Sequence, residues 1–183
     1  LANTVATLAA LPGVEEVVPL RIGDALVDIG GRPDEVTFMG ADAARGRLGN
    51  GGRPWTLLEG RDLPPSHEER PTAGTRPTIL INRTLARRLE VAPGAHITLR
   101  GACTSGSSVP PVLFHVDGIA DFPFDQASQL TAVTNLTNFA RTCGDATADE
   151  ADMLMIASRS GDGPAAAVEV IRRVRPDLSA VTN

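Results

Sequence analysis

The sequence contains no lysine and no tyrosine, one tryptophan and two cysteines. All 17 basic residues are therefore arginine. Phosphate-loop chemistry that depends on a Gly-Lys-Ser ending is excluded within these residues. Gly30-Gly31 and Gly51-Gly52 do not fit a Gly-x-Gly-x-x-Gly fingerprint either. The arginines are scattered, and the net charge is −5, so no basic stripe marks a nucleic-acid partner. No apolar run approaches the ~20 residues of a membrane-spanning helix; Met153 to Ala157 has the length of a core strand. The sequence opens on Leu1, inside what reads as a helix and without a charged-then-apolar leader, so it is expected to be a piece of a longer protein.

The two thiols, Cys103 and Cys143, are far apart in sequence and form no Cys-x-x-Cys pair, which excludes a zinc site built from cysteine alone. The residues by themselves leave two readings open, one disulfide or two independent buried thiols. What is present is an ordinary core content, 42% hydrophobic over 183 residues, enough for one large or two small domains.

Along the chain, Val5, Leu8 and Ala9 carry helical spacing over residues 3–11, ended by Pro12-Gly13. Two extended runs follow, from Val14 to about Arg21 and from Ala25 to Ile29. After the turn residues Gly30 to Asp34, Val36 to Met39 completes an antiparallel meander. Strands are expected at Thr78–Ile81, His96–Arg100, Val112–Ile119, Thr131–Val133 and Met153–Ala157. Asn82 reads as the N-cap of a helix through Leu89, and a helix from Leu136 to Arg141 follows the fourth of these strands. Pro164 opens a last helix with Ala167, Val168, Ile171 and Val174 on its apolar face, before a final strand from Leu178 to Val181. Helices and strands mixed in this order make an α+β fold, with both chain ends contributing to one part and a strand-rich part between them.

Candidate chemistry is thin. His67-Glu68-Glu69 lacks the second histidine of a helical zinc motif and lies in a polar loop. Asp145, Asp149, Glu150 and Asp152 lack the central glycine and terminal glutamate of a calcium loop. Ser105 and Ser107 flank Gly106 outside any Gly-x-Ser-x-Gly elbow, and His96 and His115 sit in alternating strands as half-exposed residues. No catalytic, cofactor-binding or metal-binding residue is assigned, and the chain is read as not an enzyme. Phe122-Pro123-Phe124 stands out in a sequence with 3% aromatics. It reads either as a partner or substrate contact or as a plug beneath a loop.

Several segments, in order, resemble the domain between the first two membrane helices of MacB/FtsX-like ABC transporter permeases. They are Leu11-Pro12-Gly13-Val14-Glu15-Glu16-Val17-Val18-Pro19, Val36 to Asp42, and Leu58-Glu59-Gly60-Arg61-Asp62-Leu63. Ile79 to Leu89, Val91 to Leu99, Phe114-His115-Val116-Asp117-Gly118-Ile119-Ala120 and the tail from Ala165 to Ala180 complete the series. The resemblance implies a porter-like subdomain from residues 1–55 and 151–183 and an inserted, strand-rich Sabre-like subdomain from residues 56–150. It also implies an extracytoplasmic position on the cell membrane, where a Cys103–Cys143 disulfide is expected. The implied partners are a cytoplasmic ABC ATPase subunit, a second permease copy or paralogue, and an accessory extracytoplasmic protein. The implied role is coupling of ATP hydrolysis to export or mechanical signalling, with the first helix as a lever. The competing readings are a secreted stand-alone binding module and a secreted hydrolase.

Overall fold

The computed structural model describes residues 1–41, 55–64, 76–103, 109–123, 125–144, 150–159 and 161–182. Val14 to Ile29 forms one strand, β1, of 16 residues rather than two runs. The polar step at Arg21, Gly23 and Asp24 does not break it, because the partner strand β2 (Arg32–Ala41) pairs through that stretch, with Gly40, Phe38 and Thr37 opposite those three residues. Between them Gly30 and Gly31 take φ of 62° and 82°, the doubly positive turn that matches strand twist and suits glycine. Asp28 Oδ1 accepts from the Gly31 N–H at 2.8 Å.

The remaining strands are β3 (Thr56–Gly60), β4 (Thr78–Asn82), β5 (His96–Gly101), β6 (Val112–Asp121), β7 (Thr131–Asn135) and β8 (Met153–Ser158). The helices are α1 (Ala2–Ala9), α2 (Arg83–Leu89), α3 (Leu136–Cys143) and α4 (Gly163–Val174). The sheet order is β2-β7-β4-β6-β5-β1-β8, and the β1–β2 pairing closes six of these strands into a ring. β3 pairs with β6, and β8 with β1, outside that ring. β2–β7 and β4–β6 are parallel, and the other pairings are antiparallel.

Every ring strand sends apolar side chains into one core: Ala25 and Val27, Val36 and Phe38, Ile79 and Ile81, Ile97 and Leu99, Phe114 and Val116, and Ala132. Their two-residue spacing is that of one strand face, so this core fills the ring. Leu85 and Ala86 of α2 and Phe139 of α3 join it. The opposite face of β2, β4 and β7 carries Met39, Ala41, Leu80 and Val133, covered by Trp55, Leu63 and Phe122. β4 and β7 are buried on both faces, which explains the apolar and β-branched residues that precede the closing asparagine of each. A third core joins the chain ends: Val5 and Leu8 of α1, Val14 and Val17 of β1, and Ala167 and Ile171 of α4.

The division expected at residues 55 and 151 does not coincide with a gap in hydrogen bonding. Residues 25–27 of β1 pair with β5, and β2 pairs with β7, so this part of the N-terminal stretch shares the ring core. Residues 14–20 of β1 pair instead with β8, with Val14 and Val17 in the core of the chain ends and Val18 and Leu20 in the core on the covered face of the ring. One correction concerns the tail, since Leu178–Val181 is no strand. Its Leu178 N–H is donated to Arg175 O at 3.0 Å, and Ala180 O accepts from the Arg172 guanidinium at 2.7 and 3.1 Å. β3 is not among the expected strands and forms on a stretch with no alternating pattern. All five of its residues are exposed, and its backbone bonds to β6 hold it.

Candidate functional site

Three places bear on function: the loop after β6, the disulfide-bonded end at α3, and the joint where β1 changes partners. Phe122 follows β6 and is 5% exposed. Its ring meets Trp55 edge-on at 6.0 Å and 72°, the geometry aromatic quadrupoles favour. Trp55 Nε1 donates to the Asp62 carboxylate at 3.2 Å, so the indole has a polar partner as well as an apolar bed. Phe122 therefore serves as a core plug in this fold rather than as an exposed contact; burying its ring against Trp55 removes it from solvent. Pro123 is exposed, and Phe124 lies outside the described residues.

Polar bonds hold the same loop in place. Asp125 accepts from Thr131 Oγ1 at 2.6 Å and from Asn82 Nδ2 at 2.8 Å. Asn82 also donates to Gln129 O at 2.8 Å, while its Oδ1 caps α2 by accepting from Leu85 N at 2.8 Å. Gln129 Nε2 reaches Thr37 Oγ1 at 2.8 Å. One asparagine thus fixes a helix start and a loop together. No sequence motif announced Asp125 or Gln129, because their partners lie on three other elements.

Cys103, after β5, and Cys143, at the end of α3, are disulfide-bonded with Cα atoms 5.3 Å apart. Phe139 of α3 stacks on Phe38 at 5.2 Å and 19°. Gly40 makes that approach possible, since a Cβ there would sit 2.6 Å from Phe139 Cβ. Asn135 caps α3, accepting from Asn138 N at 2.8 Å.

Arg21 lies where β1 leaves β8 and enters the ring, with its side chain 13% exposed. Its Nε donates to Asp152 Oδ2 at 3.3 Å, and Glu150 Oε2 lies 3.9 Å from its Nη1. Its guanidinium sits 5.4 Å from the Phe139 ring centroid. Asp152 also accepts from the Ile22 N–H at 2.7 Å, and its own N–H donates to Leu20 O at 2.9 Å. Asp152, read from sequence as part of an acidic cluster, is a structural clamp on β1. Asp145 and Asp149 lie outside the described residues, as do His67, Glu68, Glu69, Ser105 and Ser107.

His96 and His115 face each other across β5 and β6, their rings 5.2 Å apart. His115 Nε2 lies 3.4 Å from Asp117 Oδ1, and His96 Nε2 is 3.2 Å from the Arg76 guanidinium. Burial raises the Asp117 carboxyl above its ordinary range, opposed by the positive charges of His115 and Arg61. Among the described residues, no group of three or more His, Cys, Asp or Glu side chains is placed to hold a metal ion. No helix among them is long and apolar enough to cross a membrane.

The sequence profile of the MacB-like periplasmic core domain matches residues 1–174. No curated protein sequence is similar enough to count as a match. Among solved structures, the extracellular domain of the noncanonic ABC-type transporter YknZ from Gram-positive bacteria superposes with a TM-score of 0.64 at 14% identity, covering 96% of this chain and 81% of that one. The periplasmic region of MacB from Actinobacillus actinomycetemcomitans gives a TM-score of 0.57 at 11% identity, covering 96% and 74%. These two likenesses establish a shared α+β fold. With the profile spanning nearly the whole sequence, the chain belongs to the family of MacB-like periplasmic core domains of ABC transporter permeases.

Proposed function

We propose that this chain is the extracytoplasmic domain of an ABC transporter permease and works as a mechanical coupler without a catalytic site. Movement of membrane helices, driven by a cytoplasmic ATPase, would enter at the chain ends and reach a partner or substrate outside the membrane. The observation that carries this reading is the placement of both ends. α1 and α4 share one core with β8 and the first half of β1, and β1 continues unbroken into the ring. A displacement of the ends is thus delivered along a hydrogen-bonded strand, clamped by Arg21 and Asp152. We assign the porter-like role to the layer of chain ends and the Sabre-like role to the ring. The ring would face a second permease copy or paralogue, or an accessory protein.

Two measurements on the complete protein in its host test this. A Pro123→Cys variant places a thiol on the exposed loop. It should react with a membrane-impermeant maleimide in intact cells, and labelling only after lysis would overturn the extracytoplasmic placement. Asp152→Ala loosens the joint. It should leave ATP hydrolysis by the complex within about twofold while reproducing the phenotype of deleting the gene. Wild-type behaviour in a folded Asp152→Ala variant would remove the coupling route.

A further inference from the structure

The Cys103–Cys143 bond lies directly against the joint of β1. The Ala102 N–H donates to Asp24 O at 2.8 Å, and Cys103 Sγ lies 3.4 Å from the same carbonyl. One residue earlier, Gly23 has little room for a side chain. A Cβ there would sit 3.0 Å from Cys103 Sγ and 3.3 Å from Phe139 Cζ. Gly40, which pairs with Arg21, meets Phe139 from the neighbouring strand. Phe139 therefore rests in a saddle made by two glycines, with the Arg21 guanidinium 5.4 Å from its ring centroid.

The ring shields the guanidinium from water on that side. Shielding strengthens both the cation–π contact and the ion pair to Asp152, since charges attract more strongly in drier surroundings and are screened once exposed. Phe139 is in turn carried by α3, whose last residue is Cys143. A helix of eight residues needs tertiary support to persist. A continuous path thus runs from the disulfide through α3 and Phe139 to Arg21, and from Arg21 to Asp152.

We propose that the Cys103–Cys143 pair is a redox site that sets the strength of the Arg21–Asp152 clamp, and that its reactant is a dithiol. Cys103 is half-buried while Cys143 is 2% exposed. A thiolate of the dithiol therefore attacks Cys103 Sγ and expels Cys143 as the thiolate. The second sulfur of the dithiol then attacks the dithiol's own sulfur in the mixed disulfide and expels Cys103. The two protons given up by the dithiol finish on the cysteines, two electrons pass to the protein, and the reductant leaves as a disulfide. With the bond open, α3 loosens, Phe139 leaves its saddle and Arg21 meets water. The inference concerns packing within one chain and does not depend on the transport reading.

Linkage makes the test reciprocal, because a bond that strengthens the clamp must itself be strengthened by the clamp. Reduction of this chain by dithiothreitol should speed amide exchange of Ile22 and Asp152, the two N–H groups that close the joint, by about tenfold or more. β4 and β7 should keep the protection of a folded chain. Conversely, Asp152→Ala should shift the equilibrium with dithiothreitol toward the reduced form by about fivefold or more. Asn82→Ala, which weakens the fold away from the joint, should leave that equilibrium within about twofold of wild type. Joint amides that exchange equally fast in both redox states would overturn the proposal, as would an Asp152→Ala equilibrium equal to that of wild type. An equal shift in Asn82→Ala would also overturn it, by showing that reduction acts through unfolding of the whole chain.

Discussion

Asn82 shows how much one side chain can carry in this fold. It is 3% exposed and bonds to Leu85 N, Asp125 and Gln129 O. Replacing it with alanine removes a helix cap and strands polar groups in a part-buried loop. The expected cost is about 3 kcal/mol, against about 1 kcal/mol for Asn135→Ala at the α3 cap. Urea unfolding of the two variants gives the comparison directly. Asp117 makes a second prediction. Burial raises its carboxyl, so the folded state binds the proton more tightly than the unfolded chain does. Its contribution to stability is then fully present below the ordinary carboxylate value, near pH 4, and is lost as pH rises through the raised folded value. Asp117→Asn stays neutral throughout. Its stability relative to wild type should therefore increase as pH rises from about 3 to about 6, as read from urea midpoints across that range.

At the scale of elements, α3 is the segment most dependent on covalent help. It is eight residues long, and helices of that length are marginal without tertiary support. Phe139 supplies the packing, and the Cys103–Cys143 bond ties its last turn to β5 across 40 residues of chain. The chain-entropy model values such a closure at about 4 kcal/mol. The double variant Cys103→Ser with Cys143→Ser should lose stability of that order. Hydrogen exchange should show α3 opening first, while β4 and β7, buried on both faces, keep global protection. The cysteine count alone left bridge and free thiols equally open. Only the fold, by bringing β5 and α3 to one end of the ring, places the two Cα atoms within bonding range.

For the whole molecule, the arrangement is a ring core with its covered face and a separate chain-end core, joined by one long strand. Small cooperative units open at lower free energy than large ones. The chain-end core draws on far fewer buried side chains than the ring and its covered face. Native-state hydrogen exchange in increasing denaturant should therefore show α1, α4 and β8 opening below the concentration that opens the ring. A single shared transition for all elements would mean that β1 and Met155, which packs partly buried against the covered face, weld the two parts into one unit.

Much of this was legible in the sequence because local physics dictates it. The two-residue alternation of His96 to Arg100 and of Val112 to Ile119 fixed those strands, Asn82 announced α2, and Pro164 announced α4. The α+β class and the family resemblance followed from the order of such segments. Other features depend on residues distant in sequence. β1 runs through its polar centre because β2 lies beside it. β3 exists because β6 offers it an edge. Phe122 turns inward because Trp55 waits there, and the Leu178 N–H and Ala180 carbonyl go to Arg175 and Arg172 rather than to a strand. Side-chain pattern reports which face of a segment is apolar; which backbone groups find partners is decided only when the chain closes on itself.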